Sequence, residues 1–470
     1  MRKTSLTIQN GRLIDPAHGI DAETDIVLEN GKVAFIGKVS KPAGAVFNAA
    51  GCIVAPGLID THVHLREPGQ EAKETIATGA ASAVAGGFTT VCCMPNTRPA
   101  LDTQAQVEFV FKQAAKAGMA HVYPIGAATK GRDGKELSEM GLMAAAGAVG
   151  FSDDGTGIAS AGVMDQALRY CAMTGKVYMQ HCEDHTLGGG AMNAGPLSAK
   201  LGLKGWPNIA EDLMIARDIM LSRNQNYACR YHAQHMTTAG GIELLRQGRA
   251  RYAKDAAALG FDPAEHRLSG EVSPHHLLLT DAGCGAYDTN YKMNPPLRTQ
   301  ADVSALITGV ADGTIEVLAT DHAPHTAEEK AQSFAQVPFG IIGLEPALAL
   351  YMKALLWPGV VSWGRLLAML SWNGAKLVGL QDTKGHLGVG ADADVTVIDP
   401  DRIWQVDVNA FASRSRNCPF HGWSLKGAVA ATVVSGKVKY APDAGRLTGA
   451  SPVATTAAGL AQAAQNGSGH

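Results

Sequence analysis

The chain carries no excess of either charge: 40 lysines and arginines stand against 43 aspartates and glutamates, a formal net charge of −3. That balance supplies no basic field for a nucleic-acid backbone and no polybasic segment for an anionic membrane surface. Charged residues are sparse, at 18%, against 46% hydrophobic. A chain so composed has ample material for a large core, which excludes disorder for its body. Long apolar runs are missing as well. No stretch approaches the roughly 18 residues of a membrane span, and the opening MRKTSLTIQNGRLID lacks the apolar centre of a secretory signal. The eight cysteines are scattered, with no CxxC pair and no regular framework. That suits a reducing compartment in which Cys acts as a small hydrophobe. The expectation is a cytoplasmic protein with free thiols, no nucleic-acid partner and no membrane segment.

What is present divides by pattern. Residues 4–54 read as short strands, and TSLTIQNGRLID and TDIVLENGKVAFIGK each contain Asn-Gly, a strong hairpin signal. The style returns late in the chain, in ADADVTVID and SLKGAVAATVVSGKVKY, the second with a tight Ser-Gly-Lys turn. Between them, eight apolar strand-like runs alternate with helical stretches. The runs are Gly57–His64, Thr89–Pro95, His121–Gly126, Ala148–Ser152, Val177–His181, Arg230–His235, Leu268–Ser273 and Glu316–Thr320. The helices include Gln104–Ala117, Gly162–Thr174, Ile209–Asn224 and Val303–Asp312. Such alternation calls for a parallel sheet, and eight repeats call for its closure. The expected fold is α/β: a (β/α)8 barrel over 55–379, with a small β-sandwich built from 1–54 and 380–445. Residues 446–470, rich in Ala, Gly, Ser and Thr, read as a flexible tail.

Potential metal ligands gather at the ends of those strands. His62 and His64 stand two apart, and on a strand residues i and i+2 share a face. His181 ends the run KVYMQ, His235 follows RYHAQ, Asp321 ends EVLAT, and Asp154 lies just past AVGFS. Barrel enzymes build their sites at the C-terminal ends of the strands. Four imidazoles and two carboxylates there suit one or two borderline divalent ions, with Zn²⁺ the first candidate.

The stretch APGLIDTHVHLREPG, residues 55–69, closely resembles the signature of the dihydroorotase branch of the cyclic amidohydrolases. The resemblance continues in family order through MPNT at 94–97, FSDDG at 151–155, HCED at 181–184 and YHAQHMTTAG at 231–240. It extends to EVSPHHLLL at 271–279, MNPPLR at 293–298, ATDHAPH at 319–325 and PFGIIGLE at 338–345. It implies a binuclear zinc centre, with His62, His64 and Asp321 on the more buried ion and His181 and His235 on the second. Many relatives bridge the ions with a carboxylated lysine, but AVGFSDDG offers none. The chain is similar instead to a bacterial subgroup with a bridging aspartate, assigned here to Asp154 with Asp153 as the alternative.

The reaction so implied is the reversible cyclisation of N-carbamoyl-L-aspartate to L-dihydroorotate in pyrimidine synthesis, with Asp321 as the proton carrier. The substrate carboxylate calls for a planar cation, which Arg66 offers. Asn96 and His325 match family positions that share this task, Asn294 one that reads the ureido edge, and His64 also borders the substrate. Backbone amides of Phe339 and Gly340 are expected to complete the pocket. Glu183 and Asp184 are expected to orient the loop after His181, and His275 to pack or support a ligand. His232 and His322 are expected to face away, and Thr326–Pro338 reads as a lid or a solvated face. One rival is a hydantoinase or allantoinase, relatives that usually carry the bridging lysine. Another is an inactive subunit scaffolding aspartate transcarbamoylase, a kind that loses metal-binding histidines retained here. Association with that transcarbamoylase and self-assembly into a homo-oligomer are the expectations for macromolecular partners.

Overall fold

A computed structural model describes residues 5–223, 229–259 and 268–467. The expected helix end at Asn224, the first four residues and the last three of the expected tail lie outside them. The eight apolar runs become eight parallel strands: Leu58–Val63, Phe88–Cys93, His121–Gly126, Gly150–Phe151, Val177–Gln180, Arg230–Ala233, Leu268–Val272 and Val317–Leu318. Each pairs with its neighbours in sequence order. The ring closes where Val63 bridges His322 in parallel and the His64 amide donates to the His322 carbonyl at 2.9 Å. Nearly every residue of these strands is buried, as both faces of a barrel strand must be. Most strands end one to three residues before the expected ligands, so those side chains start from the barrel's C-terminal rim.

The helices that wrap the barrel begin and end where local chemistry tells them to. Gln300–Asp312 starts at Thr299, whose hydroxyl accepts from the Asp302 amide, and stops at Gly313 with φ 89°. Gln104–Ala117 spans the expected residues and ends at Gly118 with φ 61°.

The two chain ends combine into an accessory β-domain whose nine strands form one mixed sheet around a core that includes Leu13, Ile26, Phe47, Val395 and Val433. The Asn-Gly pairs part ways here. Asn30-Gly31, both at positive φ, turn a hairpin between Ile20–Glu29 and Lys32–Ile36. Asn10-Gly11 instead lies inside one long strand, Ser5–Asp15, at a register shift. Asn10 has φ 64° and its amide is held by Asp25 Oδ1 at 3.1 Å, so the pair makes a bulge and not a turn. Beyond it the sheet forks: residues 6–9 pair with Ala45–Asn48, and 12–13 with Ile53–Pro56.

Two segments depart from the expected division. Residues 406–425, assigned by pattern to the accessory domain, place Val406, Phe411, Cys418 and Phe420 in a core with Met293, Ala323 and Ile341 of the barrel mouth. The expected tail contains the helix Ala457–Gln465, capped by Thr456, with Leu460 and Ala464 buried in the barrel's own core cluster. Alanine's helix propensity and an apolar pair at i and i+4 outweigh the small-residue composition. Among the described residues no helix is long and apolar enough to cross a membrane.

Candidate metal centre

His62, His64, Asp154, His181, His235 and Asp321 converge at the C-terminal rim, each no more than 5% exposed. Their ligand atoms fall into three overlapping triads: His62 with His235 and Asp321, His62 with His64 and Asp154, and Asp154 with His181 and His235. Asp154 is the hub. Its Oδ1 lies 3.4 Å from His62 Nε2 and 3.6 Å from both His181 Nδ1 and His235 Nε2, while Oδ2 lies 3.6 Å from His64 Nε2. Asp321 Oδ1 stands 3.0 Å from His64 Nε2 and 3.5 Å from His62 Nε2. Both carboxylates thus reach the His62 and His64 pair that the resemblance sets with Asp321.

Asp153, the alternative bridge, turns the other way. Its carboxylate accepts from the Ala128 and Thr129 amides at 2.9 and 3.0 Å and from the Thr129 hydroxyl, which pins the loop below the centre. Arg132, not singled out by sequence, donates to the Asp154 carbonyl and fixes that residue from behind.

The imidazoles are oriented by outer partners. His62 Nδ1 lies 2.6 Å from Glu271 Oε1, and since a carboxylate only accepts, Nδ1 carries the proton and Nε2 is left as a lone pair. His64 Nδ1 pairs with Asn96 Oδ1 at 2.9 Å, and His181 Nε2 with Glu183 Oε2 at 2.9 Å. Glu271 is the principal residue that sequence reasoning passed over. It opens the EVSPHH motif, is fully buried, and its Oε2 accepts from His232 Nε2 at 3.1 Å and Thr61 Oγ1 at 3.2 Å. Burial opposes its charge, but His62 and His232 hold its carboxyl far below the usual range. His232 thus reaches the centre's support after all, whereas His322 points to the Gly343 amide and Glu74, as its strand position implies. His275 is buried, with neither ring nitrogen hydrogen-bonded among the described residues.

These residues fit a cation. His62 Nε2, Asp154 Oδ1 and Asp321 Oδ2 are buried without hydrogen-bond partners among the described residues, and His181 Nδ1 faces His235 Nε2 at 2.8 Å. Lone pairs packed together in an apolar interior repel unless positive charge lies among them.

A cleft of about 270 Å³ opens beside the centre, lined by Arg66, Asn96, Asn294, His325, Phe339 and Gly340 among others. Arg66 Nε donates to the Pro324 carbonyl at 3.2 Å, which leaves its terminal nitrogens directed elsewhere; burial lowers it to about 10, so it stays cationic. Asn294 donates to Glu183 Oε2 at 3.0 Å, and its Oδ1 has no partner among the described residues. His325 is drawn down to about 3 by burial and the nearby Arg66 and Lys73 cations, against the Glu329 carboxylate 3.1 Å from its Nδ1, and its Nε2 donates to the Phe339 carbonyl at 2.7 Å. The Gly340 amide, one of the two expected to complete the pocket, donates to the Lys292 carbonyl at 3.0 Å. Gly340 is there for contact, since a Cβ would lie 2.6 Å from the Ala323 carbonyl oxygen and from His325 Cδ2. The segment read as a lid starts with a short helix, Ala327–Lys330, capped by Thr326.

Residues 51–240 match a family model described as Dihydro-orotase-like, and residues 344–440 match that of the Amidohydrolase family. The chain is 48% identical to the dihydroorotase of Pelotomaculum thermopropionicum, over 92% of this chain and 98% of that one. It is 44% identical to the dihydroorotase of Pelobacter propionicus, over 93% and 99%. Among solved structures, the L-hydantoinase of Arthrobacter aurescens superposes with a TM-score of 0.79 at 26% identity, covering 92% of this chain and 95% of its own.

Proposed function

The chain belongs to the dihydroorotase family, and from that premise we propose that it interconverts N-carbamoyl-L-aspartate and L-dihydroorotate in pyrimidine biosynthesis. The carrying observation is the buried hub of four imidazoles around Asp154 and Asp321, opening on a cleft that holds a buried arginine. In this reading the centre is filled by Zn²⁺, one or two ions per subunit, held by His62, His64, Asp154, His181, His235 and Asp321. Such an ion supplies Lewis acidity toward the amide carbonyl and lowers the pKa of attacking water.

The chain's own groups do the rest. Asp321 stands at the junction of centre and cleft, where its carboxylate takes the proton of the attacking water and returns it to the leaving ring nitrogen. In the cyclising direction the same carboxylate takes the proton of the attacking ureido nitrogen and passes it to the departing oxygen. Arg66 offers its terminal nitrogens to the substrate carboxylate, with Asn96 and His325 alongside, and His64 borders the same space. Asn294 Oδ1 accepts from an N–H of the ureido edge, and the Phe339–Gly340 backbone walls the far side. The eight cysteines are all free and buried, which supports the cytoplasm as its compartment.

Steady-state assays on dihydroorotate, hydantoin and allantoin test this reading, with dihydroorotate expected to be strongly preferred. Preference for hydantoin would transfer the chain to the rival ring. Asp321→Ala is expected to abolish turnover in preparations that still contain metal, and substantial residual turnover would remove Asp321 from proton transfer.

A further inference from the structure

Asn417 lies in the stretch between the accessory strands, far in sequence from every motif at the cleft, and is only 3% exposed. Its side chain is satisfied on all sides. Oδ1 accepts from the His325 amide at 3.2 Å, and Nδ2 donates to the Ala323 carbonyl at 2.9 Å and the Gly340 carbonyl at 3.0 Å. Its own carbonyl accepts from the Ile342 amide at 3.0 Å. One residue therefore joins two loops, 321–325 after the last barrel strand and 338–342 across the cleft.

Those loops carry the groups that face the ligand. The first holds Arg66 through the Pro324 carbonyl and contains His325; the second presents Phe339 and Gly340. Asn417 itself is fixed because its segment is anchored to the barrel. Ser415 Oγ donates to the Lys73 carbonyl at 2.8 Å, and the Arg414 amide to Glu74 Oε1 at 3.3 Å. From the opposite side, Lys330 Nζ donates to the carbonyls of Pro338 and Gly340 at 3.2 and 3.3 Å. An amide is the one uncharged side chain that offers an acceptor and two donors in a plane. Aspartate would keep the acceptor and lose both donors.

We propose that Asn417 is a positioning residue: by stapling the two loops it sets the side of the cleft that receives the substrate carboxylate. This rests on the reading of Arg66 and His325 as carboxylate partners. The hydrogen bonds of Asn417 reach residues 323, 325, 340 and 342 and none of the six side chains of the centre, so its loss is expected to fall on binding more than on chemistry.

The test uses Asn417→Ala and Asn417→Asp in the full-length, metal-loaded enzyme. KM for dihydroorotate is expected to rise about tenfold while kcat changes less than about threefold, the signature of lost binding. The preference for dihydroorotate over dihydrouracil, the same ring without the carboxylate, is expected to fall by a similar factor, with metal content at the wild-type level. Backbone hydrogen exchange at 323–325 and 340–342, read without substrate, is expected to quicken in both variants. An unchanged KM, an equal loss on both rings, or unaltered exchange would overturn the assignment. Wild-type enzyme inactive on dihydroorotate would reject the functional reading instead, and the exchange measurement would still decide the role of Asn417.

Discussion

Arg66, His235 and Asp321 share a backbone property unusual for their residue types: φ values of 61°, 29° and 48°. Each conformation costs on the order of 1–3 kcal/mol and persists because surrounding contacts over-determine it. All three lie just past barrel strands, where the chain must turn its side chain back over the rim. Glu271 shows how such contacts act at a single position, since its two oxygens hold His62, His232 and Thr61. Glu271→Gln would replace one of the two acceptor oxygens by an NH2, setting a donor against a donor at either His62 or His232. Metal affinity, titrated against a competing chelator, is expected to fall about 10- to 100-fold, with turnover following it. Unchanged affinity would make Glu271 a mere filler. At this scale the imidazoles and carboxylates that converge at the rim were legible from the His-x-His spacing and the strand ends, while Glu271 was not, because its partner His62 lies 209 residues away.

Whole elements were read well where a local rule decides them and poorly where packing does. Asn30-Gly31 and Ser435-Gly436 turn as their types dictate, yet Asn10-Gly11, of the same type, bulges because Asp25 captures the Asn10 amide. The helix Ala457–Gln465 exists because Leu460 finds the barrel core. Leu460→Ala is expected to cost about 2 kcal/mol or more in denaturant unfolding and to leave kcat unchanged. Equal stability would mean the helix does not dock in solution. Glu345 joins the first barrel helix, Ile76–Ala85, to the 413 segment, its Oε1 accepting from Ser82 Oγ at 2.9 Å and the Ser413 amide at 3.2 Å. Burial pushes it from 4.5 up to about 8, so the folded protein keeps a proton that the unfolded chain releases. Its stabilising contribution is full below 4.5 and is lost as pH rises to about 8. Glu345→Gln is expected to flatten unfolding midpoints across that window, and a slope equal to wild type would refute the assignment.

Taken whole, the molecule is a closed ring of strands whose seam, at Val63 and His322, lies beside the centre it serves. Donor crowding at that rim couples metal to stability, because binding to the folded state alone raises it. Exhaustive chelation is expected to lower Tm and abolish turnover, both restored by Zn²⁺; a Tm indifferent to chelation would count against a metal at this hub.

The sequence by itself determined the alternation of strand and helix, the closure into a barrel, the imidazoles and carboxylates at the strand ends and the family. Those follow from periodicity and from motifs whose meaning is local. Only the tertiary structure decided that Asp154 and not Asp153 faces the imidazoles, that Glu271 supports His62, and that Asn417 staples the cleft. In each case the deciding contact joins residues distant in the chain, and its direction depends on backbone angles that no sequence spacing encodes.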